Sequence, residues 1–240
     1  MSRAFVDLHS HSRGSFDSLS APKDMVGAAV DRGLTHLAIT DHDRIDVAQE
    51  AKALAPAELT ILVGEEVKTR DGDLICVFLD RAIAPGMSAM ETIAAAREQG
   101  GLVGIPHPFD RMRGSLLRDA TMASLAPHVD WVEAHNARVV GPGNEDASVF
   151  ALEHGLPGVA VSDAHSVMEI GVAYIALDGD PSTPAGLLAA LAQLEVIPGR
   201  ASYFVRLWTP VAKGINRLRG NGRVQPTPAD ESPDATNGEP

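Results

Sequence analysis

His9-Ser10-His11 closes the strand-like run 4–8, and Asp163-Ala164-His165 follows the run 157–161 in the same way. Side chains alternate faces along a strand, so residues two apart point together and each pair emerges on one side of the chain. Asp41-His42 follows the run 34–39, Glu65-Glu66 follows 59–63, His107 follows 102–105 and His135 follows 129–132. Metal-type ligands thus stand at six strand ends. A lone histidine at such a place is most often a hydrogen-bonding residue, but six coincidences are hard to sustain, and a metal cluster is expected. The single Cys76 lies inside the apolar run 75–78 and reads as core, so the ligand field is nitrogen and oxygen, suited to zinc, manganese or iron. One tetrahedral ion cannot use so many donors, so two or three divalent ions are expected.

These donors share a face only if their strands run parallel. Short apolar runs alternate with amphipathic stretches punctuated as helices are: Pro22 in a first turn, Gly33, Gly100 and Gly155 after last turns, Thr183-Pro184 opening a helix through Leu194. Repeated β-then-α units predict a parallel α/β barrel or an open doubly wound sheet. In a barrel, the C-terminal strand ends form the face where active sites are built. Two strand-like runs, 59–63 and 74–79, are joined by the turn signal Arg70-Asp71-Gly72-Asp73, so one hairpin should make the barrel irregular.

The chain of 240 residues is long enough for a full core, with 45% apolar residues and a formal charge of −12. One cysteine excludes a disulfide framework. The opening MSRAFVDLHSH has no apolar core of a signal peptide, and no run of about 18 apolar residues occurs, so a cytoplasmic protein without a transmembrane segment is expected. The acidic balance argues against long nucleic acid, but not against a small phosphorylated substrate held by a local cation. Residues 203–219 carry apolar positions at helical spacing (Phe204, Leu207, Trp208, Val211, Ile215, Leu218), with arginines and Lys213 alongside. An apolar stripe usually faces a core, so this helix is expected to pack on the domain, with docking to a partner or membrane surface as the alternative. Residues 220–240, rich in Pro, Asp, Glu and Asn, read as a disordered tail.

The motifs Asp7-Leu8-His9-Ser10-His11, Ser15-Phe16-Asp17 and Ile39-Thr40-Asp41-His42 resemble the opening of the PHP (polymerase and histidinol phosphatase) family. The resemblance continues through Gly64-Glu65-Glu66-Val67, Ile105-Pro106-His107-Pro108, Glu133-Ala134-His135-Asn136 and Ser162-Asp163-Ala164-His165, covering residues 4–200. It implies a distorted (β/α)7 barrel over residues 1–202 with a trinuclear metal centre. It also implies a ligand set. His9, His11, Glu66 and Asp163 would hold one ion; Glu66 would bridge to a second, held by His107 and His135; Asp17, His42 and His165 would hold the third. The family pattern Gly-x-Glu favours Glu66 over Glu65. Asp73 stays outside the set, and Asp41 reads as a carboxylate orienting a ligand imidazole. With Asp163 and His165, it is the residue expected to take part in the reaction.

Clustered divalent ions lower the pKa of a bridging water and polarise phosphoryl oxygens, so in-line attack of hydroxide on phosphorus is the chemistry expected. Arg111, Arg113 and Arg138 follow ligand motifs and suit phosphate oxygens; Arg13 and Arg44 are similarly placed. His36, His128 and His154 fall away from the motifs and are assigned to structure. The function expected is a metal-dependent phosphoesterase acting on a small substrate of nucleotide or histidinol phosphate type. Its rivals are an exonuclease trimming short oligonucleotides and a non-catalytic, metal-stabilised interaction module. An amidohydrolase is disfavoured because the middle strands carry no suitable bridging lysine.

Overall fold

Continuous apolar runs such as Leu37-Ala38-Ile39 and Leu74-Ile75-Cys76-Val77 bury both faces of their strands, as a sheet covered by helices requires. The computed structural model describes residues 3–110, 119–202, 205 and 208–223. Nine strands form one sheet: β1 (Arg3–Asp7), β2 (His36–His42), β3 (Thr60–Lys68), β4 (Asp73–Val77), β5 (Leu102–Ile105), β6 (Trp131–Asn136), β7 (Gly158–Val161), β8 (Tyr174–Asp178) and β9 (Glu195–Ile197), in spatial order 7-6-5-4-3-2-1-8-9. β1, β2 and β3 are parallel, as are β5, β6 and β7. β4 alone runs backwards between the two sets, returning from the expected hairpin. The barrel closes where the ends of β1 and β7 meet. There the amide of His11 donates to the Ala164 carbonyl at 2.8 Å and that of Asp163 to the His9 carbonyl at 2.9 Å. The expected distorted seven-stranded barrel is therefore present, with β8 and β9 added antiparallel beyond β1.

Helices α1 (Pro22–Asp31), α2 (Asp46–Leu54), α3 (Ala89–Glu98), α4 (Asp119–Leu125), α5 (Gly143–His154) and α6 (Pro184–Leu191) lie between strands in sequence. Thr183 caps α6 by accepting from the Gly186 amide, and Gly155 ends α5 with a left-handed φ of 65°. Side-chain parity sorts the strands into two apolar layers. Leu37, Ile39, Ile61, Val63, Val103 and Ile105 pack outward among the helices; Val6, Ala38, Leu62, Ile75, Val77 and Leu102 fill the barrel. Trp131, fully buried, occupies the interior against Gly104. A Cβ at Gly104 would overlap the indole. Gly104→Ala is accordingly expected to lower stability by about 1–3 kcal/mol, the usual range for overpacking, with urea unfolding as the measurement.

Three expectations about elements change. β9 is absent from the sequence reading because three residues with Glu195 and Val196 exposed present no two-residue period. The C-terminal helix α7 (Trp208–Leu218) is present, but the described part of its apolar stripe does not face the core: Trp208, Val211 and Leu218 are exposed and Ile215 is half-buried, while Ala212 and Asn216 are buried. Phe204 and Leu207 lie outside the described residues. The polar groups on the neighbouring loop give the inward face its partners, so hydrogen bonding rather than apolar burial sets the helix rotation. Residues 221–223, expected to begin the tail, fold back against the barrel; residues 224–240 lie outside the described residues. No helix among the described residues is long and apolar enough to cross a membrane.

Candidate metal centre

β1, β2, β3 and β7 deliver their polar ends to the closure point. His42 and Glu66 share the inward parity of Ala38 and Leu62, while Glu65 shares the outward parity of Ile61 and Val63. Thus Glu66 enters the cluster and Glu65 does not. His9 Nε2 and His11 Nε2 stand 2.9 Å apart. Glu66 Oε2 lies 3.4 Å from the first and 3.3 Å from the second; Asp163 Oδ1 lies at 3.6 and 3.4 Å. His107 Nε2 is 3.1 Å from Glu66 Oε1, and His42 Nδ1 is 3.3 Å from Glu66 Oε2. Asp17 Oδ2 completes the group, 3.5 Å from His42 Nε2 and 3.3 Å from His165 Nε2. Two triads have mutual spacings fit for an ion: His9, His11 and Asp163, and His11, His42 and His165.

Hydrogen bonds outside the cluster fix which ring nitrogen carries the proton. His9 Nδ1 faces Glu133 Oε1 at 2.6 Å, and His165 Nδ1 faces the Asp163 carbonyl at 2.8 Å; each must donate. Ser15 Oγ gives its only proton to Asp41 Oδ1, so it accepts from His11 Nδ1 at 2.9 Å. In the neutral rings the Nε2 lone pairs of His9, His11 and His165 therefore all point inward. Two lone pairs 2.9 Å apart repel unless a cation lies between them. Asp17 Oδ1, His42 Nδ1, Glu66 Oε2 and His107 Nδ1 are also buried without a hydrogen-bond partner among the described residues. Without a metal, protons fill this role. Burial opposes charge on His9, but Glu133 and Asp163 outweigh it and hold its pKa well above the usual 6.5. Burial likewise opposes charge on His11, yet Asp163 and Glu66 raise it to about 9. His165 goes the other way, to about 4, through burial and the nearby Arg138. Asp163 (φ 51°) and His107 (φ 30°) hold left-handed backbone, a strain that functional sites commonly carry.

Residues 7–137 match the PHP domain, and residues 141–196 match the family described as PHP-associated. The chain belongs to the PHP family. Among sequence relatives, an uncharacterised Methanocaldococcus jannaschii protein is 33% identical over 175 residues, covering 71% of this PHP chain and 69% of that protein. A second uncharacterised protein of that organism is 36% identical over 115 residues, 43% of this chain and 67% of its own length. Two solved structures share the fold. PsfC of Pseudomonas syringae has a TM-score of 0.65 at 19% identity, covering 91% of this chain and all of that one. A two-domain Bacteroides vulgatus protein, described as containing a predicted PHP-like metal-dependent phosphoesterase, also scores 0.65, at 18% identity, covering 82% and 65%. The chain spans about two thirds of the length of that protein and of the two sequence relatives.

One expected member of the PHP ligand set is not brought to the cluster. His135 Nε2 donates to the Gly199 carbonyl at 2.7 Å, and its Nδ1 faces Asn144 Nδ2 at 3.4 Å. A bulge between Glu133 and His135 breaks the two-residue alternation of β6, and Glu133 turns inward instead. Glu133 holds His9 and also accepts from the His107 amide at 2.7 Å and from Asn136 Nδ2 at 2.9 Å. Asn136 Nδ2 reaches Asp163 Oδ2 as well, at 3.1 Å. The sequence reading missed Glu133 and Asn136, although both lie in a motif it singled out. Asp41 sits at the end of β2 and accepts from the amides of Ser12 and Ser15 and from both hydroxyls, so it orients His11 through Ser15.

Of the arginines, Arg111 and Arg113 lie outside the described residues. Arg138 lines the cavity but is held by Glu169 at 2.6 Å and Thr209 at 2.7 Å. Arg13 and Arg44 pair with Glu50 and Asp46 on the surface. His36 bonds Ser182 and Thr35, His128 ends the 3-10 turn Ala126–His128, and His154 packs on Phe150. A cavity of 690 Å³ opens above the cluster, with Asp17, His42, Glu66 and His165 at its floor.

Glu65, turned outward into the apolar layer, accepts from the Ile83 amide at 2.5 Å. Burial pushes its pKa from 4.5 to about 8. Between those values the unfolded chain has released a proton that the folded chain retains, so stability falls as pH rises from about 4.5 to about 8. Glu65→Gln should flatten that slope, gaining about 3 kcal/mol at pH 8 relative to pH 5 in urea unfolding of the two proteins.

Proposed function

We propose that the chain is a metal-dependent phosphoesterase acting on a small phosphorylated molecule. The observation that carries this reading is the convergence of the Nε2 lone pairs of His9, His11 and His165 with the carboxylates of Asp17, Glu66 and Asp163, in a cluster that reaches a 690 Å³ cavity through Asp17, His42, Glu66 and His165. Family membership supports it, as does the fold shared with the Bacteroides vulgatus protein. The fold brings together eight donors, His9, His11, Asp17, His42, Glu66, His107, Asp163 and His165, more than one tetrahedral ion takes, which supports two or three divalent ions. Nitrogen and oxygen donors suit zinc, manganese or iron.

Bound there, such ions would supply Lewis-acid stabilisation of a phosphoryl group and a nucleophilic water at neutral pH. The chain's own residues do the positioning. Glu133 and the Ser15–Asp41 pair hold the His9 and His11 rings with Nε2 inward, and the Asp163 carbonyl holds His165. Asn136 restrains Asp163. His165, kept neutral by burial and Arg138, presents its Nε2 lone pair beside Asp17 at the cavity, where it can bind an ion. A cavity of this volume suits a small ligand, and the net charge of −12 disfavours a long polyanion.

Elemental analysis of the purified protein tests the reading, followed by a screen of phosphomonoesters, bisphosphates and short oligonucleotides with Mn²⁺, Zn²⁺ and Fe²⁺. Bound metal with monoester turnover is expected. Turnover of oligonucleotides alone would move the reading to an exonuclease, and bound metal without turnover of any ester would leave an interaction module.

A further inference from the structure

Helix α7 crosses the mouth of the cavity with its polar face inward. Buried Asn216 donates from Nδ2 to the carbonyls of Ser15 at 3.1 Å and Ser18 at 2.9 Å. Asn221 donates to the carbonyls of Arg13 and Gly14 at 3.2 and 3.3 Å. The helix and the residues after it are thus tied along the loop that carries Asp17. Arg223 then returns to the barrel, with Nη2 2.8 Å from Asp73 Oδ1 and Nη1 3.2 Å from Oδ2. Its side chain is only 13% exposed. Between these anchors Lys213 reaches the cavity, Nζ 4.0 Å from Asp17 Oδ2 and 5.2 Å from the Phe16 ring centroid.

Lys213 is differently placed from the other cations of this wall. Arg138, Arg223 and Arg70 are spent on close carboxylates, at 2.6, 2.8 and 3.1 Å, and Lys68 lines the cavity too, but Lys213 is the lysine beside Asp17. Lys213 touches Asp17 only at the limit of an ion pair, and Asp17 Oδ2 also faces His42 Nε2 at 3.5 Å and His165 Nε2 at 3.3 Å. Any ion taken by Asp17 weakens that last attraction further. An ammonium 4.0 Å from a candidate ligand carboxylate, on a flexible stem and half exposed, is then available to an anion on the same ion.

We propose that α7 and the segment to Arg223 form a wall of the active site, and that Lys213 binds a non-bridging oxygen of a terminal phosphate group. This rests on the phosphoesterase reading and names its substrate class. A monoester phosphate carries one more negative charge than an internal diester, which favours it beside a cation. Thr209, Lys213 and Arg223 of this segment line the cavity together.

Calorimetric titration of the metal-loaded, full-length protein with inorganic phosphate tests this, alongside metal content and p-nitrophenyl phosphate turnover. Lys213→Ala should bind phosphate about tenfold more weakly, the size of a half-exposed charge-assisted contact, with KM raised and metal content unchanged. Lys213→Arg should recover most of the affinity. Arg219→Ala removes an exposed charge of the same segment that does not line the cavity, and should leave phosphate binding as it was. Wild-type affinity in Lys213→Ala, or an equal loss in Arg219→Ala, would overturn the role of Lys213 while leaving wild-type turnover, and the phosphoesterase reading, intact. A wild-type protein that neither binds phosphate nor hydrolyses any ester overturns both.

Discussion

His11→Ala is expected to lower phosphoester turnover by more than about 100-fold, beyond the usual cost of losing a residue that only orients a ligand, and to reduce metal content. His11 is the one residue shared by both triads with ion-holding spacing. Its Nε2 faces His9 Nε2, Glu66 Oε2 and Asp163 Oδ1, all within 3.4 Å. Its Nδ1 proton is committed to Ser15, which fixes the lone pair inward. Removing the ring takes one donor from each triad at once. The fold should survive, because closure of β1 on β7 uses the backbone amide and carbonyl groups of residues 9, 11, 163 and 164. Elemental analysis with circular dichroism separates loss of metal from loss of structure. Full metal content with unchanged turnover would refute the assignment of His11.

Glu133→Gln is expected to weaken metal affinity by about 10–100-fold, the range for partners that orient ligand imidazoles. The carboxylate does three things at once: it holds His9 Nδ1, fixes the left-handed backbone of His107 through its amide, and accepts from Asn136. An amide at this position has one accepting oxygen rather than two, so either His9 or both the His107 amide and Asn136 lose their partner, and His9 also loses the neighbouring charge. His135→Ala is the matched comparison. Its ring is bonded to Gly199 away from the cluster, so metal content and affinity should not move. Chelator competition on both variants measures the difference, and the reverse order would return His135 to the ligand set.

Local pattern carried much of this protein. The His-x-His and Asp-x-His pairs at strand ends, the hairpin at residues 69–72 and the capped helices are each decided within a few residues, and each is found where the pattern placed it. The elements that went astray depend on contacts the pattern does not contain. β9 exists only because β8 offers it an edge. The stripe of α7 predicts burial, yet Asn216 and Lys213 turn the opposite face inward, because the loop at residues 13–18 presents carbonyls and an acid there.

Within the site, residue types and spacing by themselves placed nitrogen and oxygen donors at the ends of successive strands of an α/β chain, because periodicity and composition are properties of the chain alone. The choice of a barrel over an open sheet came from the family resemblance and is borne out by the closure of β1 on β7. Which of these side chains meet was decided only by the tertiary structure. A single bulge in β6 exchanges Glu133 for His135, strand parity separates Glu66 from Glu65, and Arg223 crosses 150 residues of sequence to reach Asp73. Each outcome depends on a register or a closure between distant segments, where a shift of one residue moves a side chain to the opposite face.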